Sequence, residues 1–357
     1  KRGDYNYNLK ELVQKSPTAK FIAQNNGPWD SLILMDPQII KEFLQKYDVY
    51  QKDERIFGLI MDLFKNSVVF SEGSSWKKRR RIISTAFNFE FLKNTVPLMI
   101  ETVQERFKEW VHSENLTNLR LGDELGMITG DVAGGFLFGK KFGKLKLGDK
   151  PITVGLQNLF NEVFMEAFSP STAIFGSRLV KANILPRHRE MNKNMAELWR
   201  QCQSIVEEAK QGEMKENNLL NSLLKLREKN DPENILSDQD IIEEFIVFFT
   251  AGTDTTANLV ASAIYFLWKY PQYLEKIKEE VEKYFKDLSS LDIEKVNSME
   301  YTTAFLKETL RLGGPVATLA QRVAVKDDDL CGIKIKKGTQ VNIVHDLHYS
   351  SEQYFSN

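Results

Sequence analysis

Asp254 and Thr255 stand side by side, a carboxylate next to a hydroxyl, inside an apolar run from Ile241 to Trp268. Such a pair can relay a proton into a buried apolar site, because the carboxylate exchanges protons with solvent and the hydroxyl passes one on. Gly252, Thr253 and Thr256 crowd around the pair. These are poor helix formers, and with Thr255 they cost a helix about 2 kcal/mol relative to alanine. A helical threonine can also bond back to the carbonyl four residues earlier and loosen the turn. The structural alternative is a helix contact in which small residues permit close approach.

Three further constellations have chemistry-bearing spacing. Glu308-Thr-Leu-Arg311 places a carboxylate and a guanidinium on one helix face, suited to a bidentate pair. Glu197-Leu-Trp-Arg200 has the same spacing, so spacing alone does not distinguish them. Trp76 and Arg80 share a helix face within Trp76-Lys-Lys-Arg-Arg80, and an indole N–H beside an arginine suits a carboxylate ligand. The run Lys77 to Arg81 also fits a solvated basic patch or a localisation-like signal. His345-Asp-Leu-His348 is a weak metal-like pair, and Cys202 and Cys331 match no zinc or redox spacing.

The elements that must position these groups are mostly helical. The first 36 residues suggest strands with turns, and Asp36-Pro37 then caps a helix through about Lys46. Helical apolar spacing recurs over Phe87–Trp110, Leu125–Phe138, Val154–Phe168, Met191–Ala209 and Leu219–Leu226, with Gly139 placed to stop the second of these. Ser237-Asp-Gln-Asp240 resembles a capping box at the head of the long apolar helix, which reads as buried. Pro271 opens a helix to Phe285, and Asn297-Ser-Met-Glu300 caps one ending near Gly313. After Pro315 the pattern alternates, and Gly332–Ile343 suggests a β-hairpin. The expected class is mostly α with a small β region, an α+β arrangement forming one domain over residues 1–357.

Ala251-Gly-Thr-Asp-Thr-Thr256 inside an apolar helix resembles the A-G-x-D/E-T-T signature of the cytochrome P450 family. Lys307-Glu-Thr-Leu-Arg-Leu312, 54 residues on from Asp254 when counted to Glu308, resembles its E-x-x-R helix, and Trp76 to Arg80 resembles its W-x-x-x-R motif. The motifs follow the family's order. The resemblance implies a truncated P450 fold and a haem-dependent monooxygenase that inserts one atom of O2 into an apolar organic substrate, drawing electrons from NADPH through a flavoprotein reductase or another donor.

By the same resemblance, Asp254 and Thr255 would deliver protons for oxygen activation. Trp76, Arg80 and Arg322 would hold the haem propionates, with Ala251 and Gly252 against the haem. Phe248, Val316, Ala317 and Leu319 would line the substrate pocket, while Glu308 and Arg311 would be structural. The family's iron ligand is a cysteine thiolate in an F-x-x-G-x-R-x-C-x-G loop, which is expected beyond Asn357. A location on the cytosolic face of the endoplasmic reticulum membrane would require an N-terminal anchor that this sequence does not contain.

Composition is compatible with this and favours no other class. With 42% hydrophobic and 27% charged residues in 357, the chain is an ordinary globular one. A net charge of −1 gives no footprint for nucleic acid. Two rivals follow from the same residues: a haem-thiolate isomerase, against which the intact Asp254-Thr255 pair argues, and a helical binding or scaffold protein without cofactor.

Overall fold

A computed structural model describes residues 7–26, 29–87, 93, 95–112, 119–142, 145–167, 169–212, 218–228, 236–286, 291–316, 318–349 and 355. The chain opens with α1 (Tyr7–Lys15), β1 (Phe21–Asn26), β2 (Trp29–Leu34), α2 (Pro37–Gln45), β3 (Tyr50–Lys52) and α3 (Glu54–Phe64). There follow α4 (Gly73–Ala86), α5 (Val96–Val111), α6 (Leu121–Phe138), the short strands β4 (Lys146–Leu147) and β5 (Lys150–Pro151), and α7 (Ile152–Ala167). Next come α8 (Pro170–Phe175), α9 (Ser177–Lys181), α10 (Pro186–Lys210), α11 (Leu219–Glu228) and α12 (Asp238–Lys269). The chain continues with α13 (Pro271–Tyr284), α14 (Ile293–Asn297), α15 (Glu300–Gly313), β6 (Thr318–Ala324), β7 (Asp328–Leu330), β8 (Ile333–Ile335), β9 (Gln340–Val344) and α16 (His345–Tyr349). The fold is mostly α with small sheets, the class that the sequence implies.

Local chemistry explains the boundaries. Asp36 caps α2 by accepting from the backbone N–H groups of Gln38 and Ile39 at 2.8 and 3.1 Å. Ser237 and Asp240 form the reciprocal capping box of α12. Gly139, at φ 72°, ends α6 in the left-handed region, where a side chain would be strained.

The chain forms two compact units, residues 1–57 with 307–357, and residues 58–306. The first contains a five-stranded sheet in the order β1-β2-β9-β6-β3, in which only β2 and β9 run parallel. All five residues of β9 are buried, as befits a central strand covered on both faces. Leu34, Phe43, Tyr50, Val341 and Ile343 belong to its core.

The second unit is helical. A core that includes Phe64, Phe138, Phe245 and Leu159 is built from α3, α6, α7, α10, α11 and α12. Helix α6 comes very close to its neighbours because its contact residues are glycines. A Cβ on Gly134 would lie 2.7 Å from the Lys140 carbonyl oxygen, a backbone atom with little freedom to retreat. Gly134→Ala is therefore expected to destabilise the protein by about 1 to 3 kcal/mol in urea denaturation, despite alanine's better helix propensity.

Three expectations need correction. The segment before residue 36 holds α1 as well as strands, because Leu9 and Val13, one helical turn apart, pack on the cluster of Ile33, Met35, Val344 and Leu347. Residues 332–343 do not form one hairpin. β8 pairs back onto β7 through a turn at Cys331 and Gly332, and β9 joins the larger sheet, since Gly338 at φ 89° redirects the chain between them. The long helix is buried only in part: near its end Tyr265 is 50% exposed and Trp268 is 78% exposed.

Candidate active site

The Asp254-Thr255 pair sits midway along α12, where the helix surface changes character. Phe245 to Phe249 are mostly buried, whereas Ala251 and Gly252 are exposed. A Cβ added at Gly252 would meet nothing within 4 Å. The helix thus carries only a methyl group and a hydrogen at these two positions, which leaves room for the face of a planar group.

Thr255 Oγ1 donates to the Ala251 carbonyl at 2.7 Å, the back-bond to the preceding turn. Thr250 makes the same bond to Ile246 at 2.8 Å. Asp254 points elsewhere. Its Oδ1 accepts from Gln157 Nε2 of α7 at 2.8 Å and from Asn258 Nδ2 at 3.2 Å, and Asn258 also donates to the Asp254 carbonyl at 2.8 Å. A cavity of about 290 Å³ borders these groups, lined also by Phe160, Phe249 and Thr253.

On α4, Arg79 and Arg80 have different tasks. Arg79 pairs with Asp240 at 3.0 Å and is only 12% exposed. Arg80 is exposed and takes no hydrogen bond or ion pair among the described residues, while Trp76, one turn earlier, is half-buried. An uncommitted arginine one turn from an indole fits a carboxylate-bearing ligand. An open helix turn at Gly252 and an arginine beside an indole are each of the chemistry that a planar group with carboxylates requires.

Phe248 packs edge-on against Phe87, with ring centroids 5.7 Å apart, and it is the next residue, Phe249, that borders the cavity.

In the other unit, Arg311 forks onto both oxygens of Glu308, with Nε 2.8 Å from Oε2, and also donates to the Tyr349 carbonyl in α16. Arg200 makes an equally bidentate pair with Glu197, yet it is 71% exposed where Arg311 is 17% exposed. Identical spacing therefore yields one surface pair and one that ties two helices together. Arg322 lies on β6 opposite Lys52 and donates to the Gln321 carbonyl at 3.0 Å. Val316 is 40% exposed. Leu319 pairs with Ile343 across the sheet, and Ala317 lies outside the described residues.

His348 Nε2 lies 3.0 Å from the Leu34 carbonyl oxygen. Cys202 is buried, and burial pushes its thiol up to about 12. Cys331 is exposed, and its Sγ donates to Glu42.

Sequence reasoning missed Gln157, Asn258 and the buried threonines of the cavity. Asn258 carries a signal, since it stands one turn after Asp254. Gln157 carries none, being 97 positions away in the chain.

Among the described residues no helix is long and apolar enough to cross a membrane. A family model described as Cytochrome P450 matches residues 13–357. Secologanin synthase 1 of Catharanthus roseus is 28% identical over 340 residues, covering 91% of this chain and 63% of that protein. Cytochrome P450 72A68 of Medicago truncatula is 28% identical over 88% of this chain and 60% of its own length. Cytochrome P450 3A18 of Rattus norvegicus is 26% identical over 92% of this chain and 67% of its own length. The chain thus spans less than two thirds of the length of the plant relatives named here.

Proposed function

Because the chain belongs to the cytochrome P450 family, we propose that it forms the proton-relay and haem-cradling part of a monooxygenase acting on an apolar organic substrate. The proposal includes one oxygen atom of O2 entering the substrate, electrons from NADPH through a flavoprotein reductase, and a place on the cytosolic face of the endoplasmic reticulum membrane. The family match runs through both compact units, which supports reading them as one P450 domain.

The observation that carries the reading is Thr255 Oγ1 bonded to the Ala251 carbonyl beside the open patch at Gly252, with Asp254 next to it in the chain. In this reading Trp76, Arg80 and Arg322 hold the propionates, Ala251 and Gly252 face the ring, and Glu308 and Arg311 brace their helix. Haem, when bound through a cysteine thiolate, supplies the redox chemistry of O–O cleavage. The chain's own task is to keep a hydroxyl and a carboxylate at hand as proton carriers in an apolar setting.

Thr255→Ala removes the hydroxyl and keeps the helix, since alanine is the better helix former. The expected result in the haem-loaded protein is about a tenfold loss of product per O2 consumed, with O2 consumption retained, as general acid–base contributions are typically at least that large. Unchanged coupling would count against the assignment. A carbon monoxide difference spectrum without the thiolate-haem band would sink the enzyme reading itself.

A further inference from the structure

Within the basic run of α4, Arg79 has no part in the proposed haem cradle, yet its side chain is turned inward and only 12% exposed. The neighbouring Arg80 is exposed. Helical spacing explains the difference. Arg79 is in step with Ile82, Ile83 and Ala86, the buried residues of α4, so it extends the inner stripe of the helix by one turn. Trp76 and Arg80 lie on a second stripe, and adjacent positions on a helix point about 100° apart. Holding Arg79 against α12 therefore fixes the angle at which α4 presents Trp76 and Arg80.

The anchor is built from both sides. Arg79 Nη2 donates to Asp240 Oδ1 at 3.0 Å, and Nε reaches back to Ser75 Oγ at 3.4 Å, which holds the side chain along α4. Asp240 is held as well, because its Oδ2 accepts from the Ser237 N–H at 2.9 Å in the capping box of α12. One turn further on, Glu243 and Glu244 accept from the backbone N–H groups of Asn66 and Val68, both at 2.7 Å. Asp240, Glu243 and Glu244 stand at i, i+3 and i+4, so α12 offers one acidic stripe to α4 and to the segment that leads into it. Arg79 Nη1 is buried with no hydrogen-bond partner among the described residues, so the link to α12 rests on the bond to Asp240. With side chains only 12% and 17% exposed, this pair is far less screened than a surface one.

We propose that Arg79 and Asp240 are positioning residues that set the rotation of α4, and through it the reach of Arg80 toward a carboxylate-bearing ligand. For haem those carboxylates are the propionates, and that part rests on the monooxygenase reading. The lock between α4 and α12 does not. Arg79 itself touches no ligand and acts through the helix it holds.

Haem release from the haem-loaded protein to a haem-free myoglobin acceptor tests the coupling. Arg80→Met removes a charge-assisted hydrogen bond and should speed release about tenfold or more. Arg79→Met keeps the apolar stem and removes the anchor, while Asp240→Asn removes the partner's charge and leaves an amide oxygen to close the capping box. Each should speed release about threefold or more in a chain that keeps Arg80, and less than about 1.5-fold in Arg80→Met, where nothing is left to position. Equal acceleration in both backgrounds would mean general loosening and overturn the positioning role.

Hydrogen exchange on the haem-free protein reads the lock by itself. Amides of residues 77–83 should exchange about tenfold faster in Arg79→Met and in Asp240→Asn, and at the wild-type rate in Arg80→Met. Equal exchange in all four proteins overturns the lock. Should Arg80→Met leave haem release unchanged while exchange changes as expected, the haem reading of α4 fails and the lock stands.

Discussion

Glu166→Ala is expected to destabilise the protein by about 3 kcal/mol, read as the shift of its urea midpoint at neutral pH, because it strips a buried carboxylate from the donors gathered around it. Glu166 lies at the end of α7 with its side chain 7% exposed. Arg187 Nε of α10 donates to Oε2 at 2.8 Å, and Ser169 Oγ and Thr172 Oγ1 each donate to Oε1 at 2.9 Å. His188 Nε2 approaches Oε1 to 3.1 Å. Burial opposes the ionised form, yet Arg187, Ser169, His188 and Thr172 together overcome it and hold the carboxyl at about 2. A depressed carboxyl stabilises the fold above its unfolded value, and this contribution disappears as pH falls from about 4.5 to about 2. The shift corresponds to about 3 kcal/mol, in line with the truncation cost. Arg187 is 58% exposed and can return to water, which keeps the loss at the lower end for a broken buried pair. Equal acid sensitivity in the wild type and in Glu166→Gln would contradict the assignment.

That cluster also marks the limit of what the sequence made legible. Local signals were readable because a few adjacent residues decide them: Asp36 before Pro37, the Ser237–Asp240 box, Gly139 at a helix end and apolar residues at helical spacing. The motif residues of α12 were readable for the same reason. Long-range partners were not. Glu166 meets Arg187, 21 positions on, and Asp254 meets Gln157, 97 positions back, only because separate helices lie side by side, and no periodicity encodes that pairing. The strand pattern after Pro315 shows the intermediate case. Alternation located β8 and β9, but the choice of partner depended on the φ of Gly338 and on parallel pairing with β2, a strand some three hundred residues earlier. Glu197–Arg200 and Glu308–Arg311 make the point most directly. The same four-residue spacing gives the same fork, and only tertiary placement makes the second a link between helices.

Glu244 leads to the opposite pH dependence, on the same helix as Asp254 and Thr255. Its side chain is fully buried. The Val68 N–H donates to Oε1 at 2.7 Å, and Oε2 has no partner among the described residues. Glu243 beside it takes the Asn66 N–H at 2.7 Å, the Asn66 side chain at 3.0 Å and Gln239 at 3.1 Å, so neighbouring carboxylates face unlike surroundings. Burial with a single donor pushes the Glu244 carboxyl up to about 8. A raised carboxyl stabilises the fold below its unfolded value, and that stability is lost as pH rises from about 4.5 toward 8. Between about pH 6 and pH 7.5 the protein should lose about 2 kcal/mol from this group alone. Glu244→Gln removes the ionisation and keeps the Val68 bond. The variant should match or fall slightly below the wild type at about pH 5 and exceed it by about 3 kcal/mol at about pH 8.5, where the wild type must either bury a charge or open around it. Urea denaturation of both proteins across that range is the measurement, and parallel curves would show that Glu244 is ionised and stabilised throughout. Because Glu244 secures the segment between α3 and α4 to the first turns of α12, alkaline loosening should begin there. Hydrogen exchange at residues 65–71 should quicken with pH, beyond its intrinsic pH dependence, in the wild type but not in Glu244→Gln.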